Sequence, residues 1–306
     1  MKIGLALGGG GARGFFHIGV LKVLETLNLK INFISGTSIG ALIGALYSLY
    51  RDSHQVQLKT LEVLAKHRKN IDALKIYSSS FNVEEKKIFL ERSFNFVKKF
   101  YLWNLRRVRP FLVHPKPFLK FFNDLFGTTT FEDCKIPFSC SAVDLIRGSA
   151  VFLDKGPLDK AVMASCSIPG VFPPLRTGNK LLVDGGVLMP LPSVFLKDKV
   201  DFILGINLQP LWVAPVNIKN AIDIMFITDC IRYRKIIEDT LENADFLISL
   251  ENSSFTWGDF DKAEEFIKLG EKEMLSRKDD LIKALNNVSK TIFRKRFFSF
   301  PFFKRG

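Results

Sequence analysis

The chain has no stretch of the roughly 18 or more apolar residues that a membrane-crossing helix needs, although 47% of its 306 residues are hydrophobic. Its first apolar run, Ile3–Leu7, follows the single basic residue Lys2 and is cut by Gly8, which is not the pattern of a secretion signal. Cysteine is scarce. The four residues Cys134, Cys140, Cys166 and Cys230 form no CxxC pair and have no histidine at metal-ligand spacing. That speaks against a zinc module or a disulfide scaffold and for free thiols in a reducing compartment. A cytoplasmic protein is expected, with any membrane contact peripheral and on the inner face, and with no metal and no cofactor.

Acidic residues are missing from two segments of an otherwise mixed chain. Ser93–Phe122 contains seven Lys or Arg and nine aromatics without one Asp or Glu, and residues 281–306 lack acids and end in a run of phenylalanines followed by Lys304-Arg305-Gly306. The whole chain carries 30 phenylalanines and a net charge of +13, a balance that favours polyanions. Aromatics settle at a bilayer interface while Lys and Arg meet anionic headgroups, each basic residue adding about 1 kcal/mol. No nucleic-acid module accompanies the charge. The expected partner is therefore an anionic membrane surface met peripherally, with no nucleic acid. For Ser93–Phe122, core packing competes on equal terms with membrane contact, and a lid over an active site is a third option. The simplest organisation is one domain over residues 1–280 and a basic aromatic tail over 281–306.

The first fifty residues alternate strand and helix. Ile3–Leu7 and Ile31–Ile34 are short apolar runs of strand length. Phe15–Leu27 places Phe16, Val20, Val23, Leu24 and Leu27 at helical spacing, and Ile39–Leu49 has the small and apolar residues of a buried helix. Further strands are expected at Ile136–Asp144, Val151–Leu153, Lys180–Val183, Asp201–Asn207 and Phe246–Leu250, and helices at Leu158–Ser165, about Ile222–Leu241 and Asp259–Ser276. Strands alternating with helices predict a three-layer α/β/α sandwich around a mainly parallel central sheet.

Three short motifs carry chemistry. Gly36-Thr37-Ser38-Ile39-Gly40 fits GxSxG between a predicted strand and helix, a turn that exposes a serine oxygen at the carboxyl end of a sheet and aims a helix N-terminus at it; the bland alternative is a serine that caps a helix. Gly9–Gly14 fits GxGxxG, but a dinucleotide site would need an acid near the end of the second strand, where the chain instead reads Ser35-Gly36-Thr37-Ser38. The same glycines can instead offer bare N–H groups to an oxyanion. None of the four histidines (His17, His54, His67, His114) follows a late strand, where a Ser-His-Asp hydrolase would carry its base. Asp184, at the end of Lys180–Val183 and before Gly185-Gly186, can take a serine proton directly, or can simply open a glycine turn.

In this order and spacing, Gly8–Gly14, Gly36–Gly40 and Asp184-Gly185-Gly186, with Ala164–Pro174 ahead of the last, resemble the patatin-like phospholipase family, particularly its bacterial members. The resemblance runs from about Lys2 to Leu275 and is weakest over 52–126. It implies a patatin-like fold, a Ser38–Asp184 dyad without a metal, an oxyanion hole in the loop of Gly9, Gly10, Gly11 and Arg13, and supporting glycines at Gly36, Gly40, Gly185 and Gly186. The activity it implies is that of a serine acyl hydrolase, phospholipase-like or lysophospholipase-like, acting on a lipid ester. The competing class is a peripheral membrane-binding or regulatory protein that keeps the fold without turnover.

Overall fold

Ile3–Leu7 (β1) is buried at every position, as a strand must be when helices cover both faces of its sheet. It lies between β2 (Ile31–Thr37) and a late strand, Phe202–Asn207, and pairs with both in parallel. The computed structural model describes residues 1–68, 71, 111, 113–209, 218, 221–250 and 255–298, with backbone alone at 222, 226 and 291–298. In chain order the remaining strands are β3 (Phe138–Asp144), β4 (Ser149–Leu153), β5 (Leu175–Thr177), β6 (Lys180–Asp184), β7 (the late strand Phe202–Asn207) and β8 (Phe246–Ser249). The helices are α1 (Phe15–Thr26), α2 (Ile39–Tyr50), α3 (Ser53–Lys66), α4 (Pro115–Phe126), α5 (Leu158–Ser165), α6 (Ala221–Leu241), α7 (Ala263–Ser276) and α8 (Lys278–Phe298). The sheet runs β5-β6-β3-β2-β1-β7-β8, with β4 paired to β3 off this path.

From β3 to β8 the sheet is parallel, while β4, β5 and β6 are antiparallel additions at one end. The steps β1 to β2 to β3 all move the same way across the sheet, so right-handed crossovers put α1 and α2 on one face; the step β7 to β8 moves the opposite way and puts α6 on the other. Burial follows this division. Ile3, Leu5 and Leu7 join the main core with Phe15, Phe16, Leu46 and Phe266. Ala6 turns to a smaller cluster with Leu191, Leu196 and Ile203, against which Leu241 of α6 packs. The mixed, mostly parallel sheet with helices on both faces is the expected architecture.

The boundary at 280 falls inside α8, and Leu281 and Leu285 are buried in the main core, so the first turns of the expected tail belong to the body. Their i, i+4 spacing is an ordinary core-facing helix signal. The segment Ser93–Phe122 lies mostly outside the described residues, and with it the lid. Its described end is core: Phe118 and Phe122 on α4 are buried, and Phe118 stacks on Phe172 with centroids 4.2 Å apart. Among the described residues no helix is long and apolar enough to cross a membrane.

Candidate active site

At the end of β2 the chain turns sharply into α2, and Ser38 sits at the turn with φ 55° and ψ −124°. A side chain there costs about 1–3 kcal/mol, so the surroundings must impose it. A Cβ on Gly40 would lie 2.2 Å from the Leu7 carbonyl oxygen, and one on Gly36 would lie 2.4 Å from the Gly40 oxygen. Backbone therefore packs directly on backbone where β1, β2 and α2 meet. The Ser38 N–H donates to Ser165 Oγ at 2.9 Å, and the Ser38 carbonyl accepts from the N–H groups of Ala41 and Leu42. Gly40→Ala is expected to destabilise the fold by about 3 kcal/mol or more, because backbone atoms cannot yield as a core side chain does; urea unfolding measures it, and a midpoint equal to wild type would contradict this packing.

Asp184 reaches Ser38 through an end-on meeting of two strands. One edge of β3 is covered by β4. The other edge pairs with β2 over Phe138–Ser141 and then with β6 over Ala142–Asp144, Ala142 lying opposite Asp184. The carboxyl ends of β2 and β6 therefore face each other along one edge. Thr37 secures the junction, its Oγ1 lying 2.6 Å from Ser141 Oγ and donating to the Met189 carbonyl at 2.7 Å. Ser38 Oγ–H donates to Asp184 Oδ2 at 2.6 Å, and the Gly186 N–H donates to Oδ1 at 2.7 Å. Burial pushes the Asp184 carboxyl up to about 6, against the opposing pull of the hydrogen bonds from Ser38 and Gly186. A carboxylate raised in this way is a stronger base near neutral pH.

The glycine loop runs beside Ser38. The Gly8 and Gly9 N–H groups donate to the carbonyls of Ile206 and Pro190, and that of Ala12 to Trp257. Among the described residues, no acceptor takes the N–H of Gly10 or Gly11, so these two amides, rather than that of Gly9, are open to a ligand. His17 is fully buried, with its ring Nε2 2.8 Å from the Gly8 carbonyl. Burial lowers it to about 4, so the ring is neutral and Nε2 carries the hydrogen that braces the loop. One terminal nitrogen of Arg13 donates to the Phe255 carbonyl at 3.4 Å, and among the described residues its buried Nε has no partner.

Of the other histidines, His67 lines an apolar cavity that Ser38 also borders. His54 is exposed on α3, His114 caps α4 by accepting the Lys116 N–H, and His67 is 2.8 Å from Asp124 Oδ2.

Ser38 borders two cavities of opposite character. One, with about 870 Å³ of empty space partly open to solvent, is lined mainly by apolar groups such as Phe15, Leu42, Leu64, Phe118, Phe122 and Phe172. The other is wider and more polar, shares Gly11, and adds Gly10, Arg13, Asp184, Gln209, Asp229, Arg232 and Tyr233. Ser38 thus stands between an apolar space on one side and a polar one on the other. The three α6 residues and Gln209 were not anticipated, since only their place on a late helix or after a strand brings them here. Among the described residues no group of three or more His, Cys, Asp and Glu could hold a metal ion.

The model of the patatin-like phospholipase family matches residues 5–195. An uncharacterised NTE family protein of Mycobacterium tuberculosis is 31% identical over 191 residues, covering 62% of this chain and 44% of that protein. The neuropathy target esterase sws of Drosophila melanogaster is 32% identical over 195 residues, covering 63% of this chain and 12% of the relative. The match thus spans less than half the length of these relatives. Among solved structures, VipD of Legionella pneumophila aligns over 91% of this chain and 67% of its own, with a TM-score of 0.43 and 13% identity. ExoU of Pseudomonas aeruginosa, solved with SpcU, aligns over 93% and 53%, with a TM-score of 0.45 and 15% identity.

Proposed function

This chain belongs to the patatin-like phospholipase family, and from that premise we propose that it is a serine lipid acyl hydrolase working through a Ser38–Asp184 dyad. The observation that carries the reading is the 2.6 Å hydrogen bond from Ser38 Oγ to Asp184 Oδ2 at the junction of an apolar and a polar cavity. Ser38 Oγ attacks the ester carbonyl as its proton passes to Asp184. The N–H groups of Gly10 and Gly11 hold the oxyanion, aided by the positive N-terminal end of α2. Collapse expels the alcohol, which takes the proton from Asp184 and leaves an acyl-serine. Water then attacks that ester and gives its proton to Asp184, which returns it to Ser38 Oγ as the fatty acid departs.

The apolar cavity makes chain length the readable variable. Each buried methylene contributes about 0.8 kcal/mol, so kcat/KM for p-nitrophenyl esters should rise about fourfold per added methylene until the cavity is full. A fluorophosphonate probe should label Ser38, located by peptide mass. Folded protein that takes no label, or hydrolyses acetate as well as long-chain esters, would count against the reading. Activity should also fall as pH drops through about 6, because only the ionised Asp184 can accept the proton; a flat rate from pH 8 to pH 5 would remove it as the base.

A further inference from the structure

α6 lies beyond residues 5–195, which the family model matches, yet it supplies one wall of the polar cleft with Asp229, Arg232, Tyr233 and Ile236. The two charged groups of that wall are engaged with each other, an Arg232 guanidinium nitrogen lying 2.5 Å from Asp229 Oδ1. Tyr233 differs. It is half-buried in the cleft that also holds Ser38 and Asp184, and among the described residues no acceptor takes its hydroxyl hydrogen. The phenol is pushed up to about 12, first by burial and then by the negative charge of Asp184. It therefore remains an O–H donor at any working pH, on the wall of the cleft that also exposes Ser38 and Asp184.

The dyad needs such a donor at one step in particular. During acylation the nucleophile is covalently held and already hydrogen-bonded to its base. During deacylation the nucleophile is a free water, and Asp184 offers it a single contact while the acyl chain fills the apolar cavity. One hydrogen bond leaves a water free to rotate; a second, donated to its oxygen, fixes a lone pair toward the carbonyl. A neutral donor suits a neutral acceptor such as water.

We propose that Tyr233 is a catalytic residue of the deacylation step, donating its O–H hydrogen bond to the water that attacks acyl-Ser38. The proposal rests on the acyl-serine reading above. The water oxygen forms the new bond to the acyl carbon, its proton goes to Asp184, and the carbon–Oγ bond breaks as Ser38 recovers that proton. Tyr233 keeps its own proton throughout.

Tyr233→Phe preserves the ring and removes only the hydroxyl. With a long-chain p-nitrophenyl ester it should release close to one equivalent of p-nitrophenol at the wild-type rate. The following steady state should be slower by on the order of 10- to 100-fold, and the acyl-enzyme mass should accumulate. Fluorophosphonate labelling of the variant should match wild type in rate, which also reports an intact fold around Ser38. Equal steady-state rates in wild type and variant, or a slowed first turnover without acyl-enzyme, would overturn the role of Tyr233. Failure of the wild-type protein to label at Ser38 would instead overturn the underlying reading.

Discussion

Ser38→Ala is expected to lower kcat/KM toward a long-chain p-nitrophenyl ester by about 10³-fold or more, the scale on which removal of a serine nucleophile acts. Stability should separate this from a folding defect. Alanine keeps the Cβ that makes φ 55° costly, so Ser38→Ala gains nothing from the turn and leaves Asp184 without its Oγ–H partner. Ser38→Gly removes the nucleophile and the Cβ together, and should unfold at a higher urea concentration than Ser38→Ala by about 1–3 kcal/mol of stability. Both variants should be inactive, and they should differ in stability alone. If Ser38→Ala keeps a tenth or more of wild-type activity, some other group forms the acyl intermediate.

The parallel part of the fold was legible because its signals are local. Ile3–Leu7 and Ile31–Ile34 are short apolar runs, the helices between them have a regular apolar face, and the crossover rule then orders them. The direction of β6 was not legible. Lys180–Asp184 reads as a strand either way, and only its pairing with β3 makes it antiparallel and turns Asp184 toward Ser38. The same long-range pairing explains why a short motif near residue 38 and another near residue 184 work as one unit. Ser38 and Asp184 could be singled out because each sits in a glycine-rich turn. Arg232 and Tyr233 could not, since a polar residue on an amphipathic helix looks the same whether it faces solvent or a cleft. Nor could the loop amides be told apart: Gly9, Gly10 and Gly11 are equivalent in sequence, and only the carbonyl of Pro190 occupies the first of them. His17 was set aside as a base on its position; its burial against the Gly8 carbonyl adds a role that position alone does not suggest.

Asp184→Asn is the second large effect, with opposite signs for activity and stability. The amide retains an oxygen for the Gly186 N–H, but it turns a donor toward Ser38 Oγ and can accept no proton. Loss of the base should lower kcat by on the order of 10²- to 10⁴-fold. The stability change follows from the raised carboxyl. With a folded-state value of about 6 against an ordinary value of 3.8, the native protein binds this proton more tightly than the unfolded chain does. Above pH 6 the carboxylate is ionised in both states, and holding that charge in a buried site costs the fold about 3 kcal/mol. Below pH 4 the group is protonated in both states and the cost disappears. Asn never ionises, so the variant should melt several degrees above wild type at pH 8, with the gap closing as pH falls from 6 to 4. Melting curves of the two proteins at matched pH values test this. A constant gap, or none at pH 8, would mean that Asp184 carries no desolvated charge. The rate dependence on pH would then need another group, because the strain that makes Asp184 a good base is the same strain the Asn variant relieves.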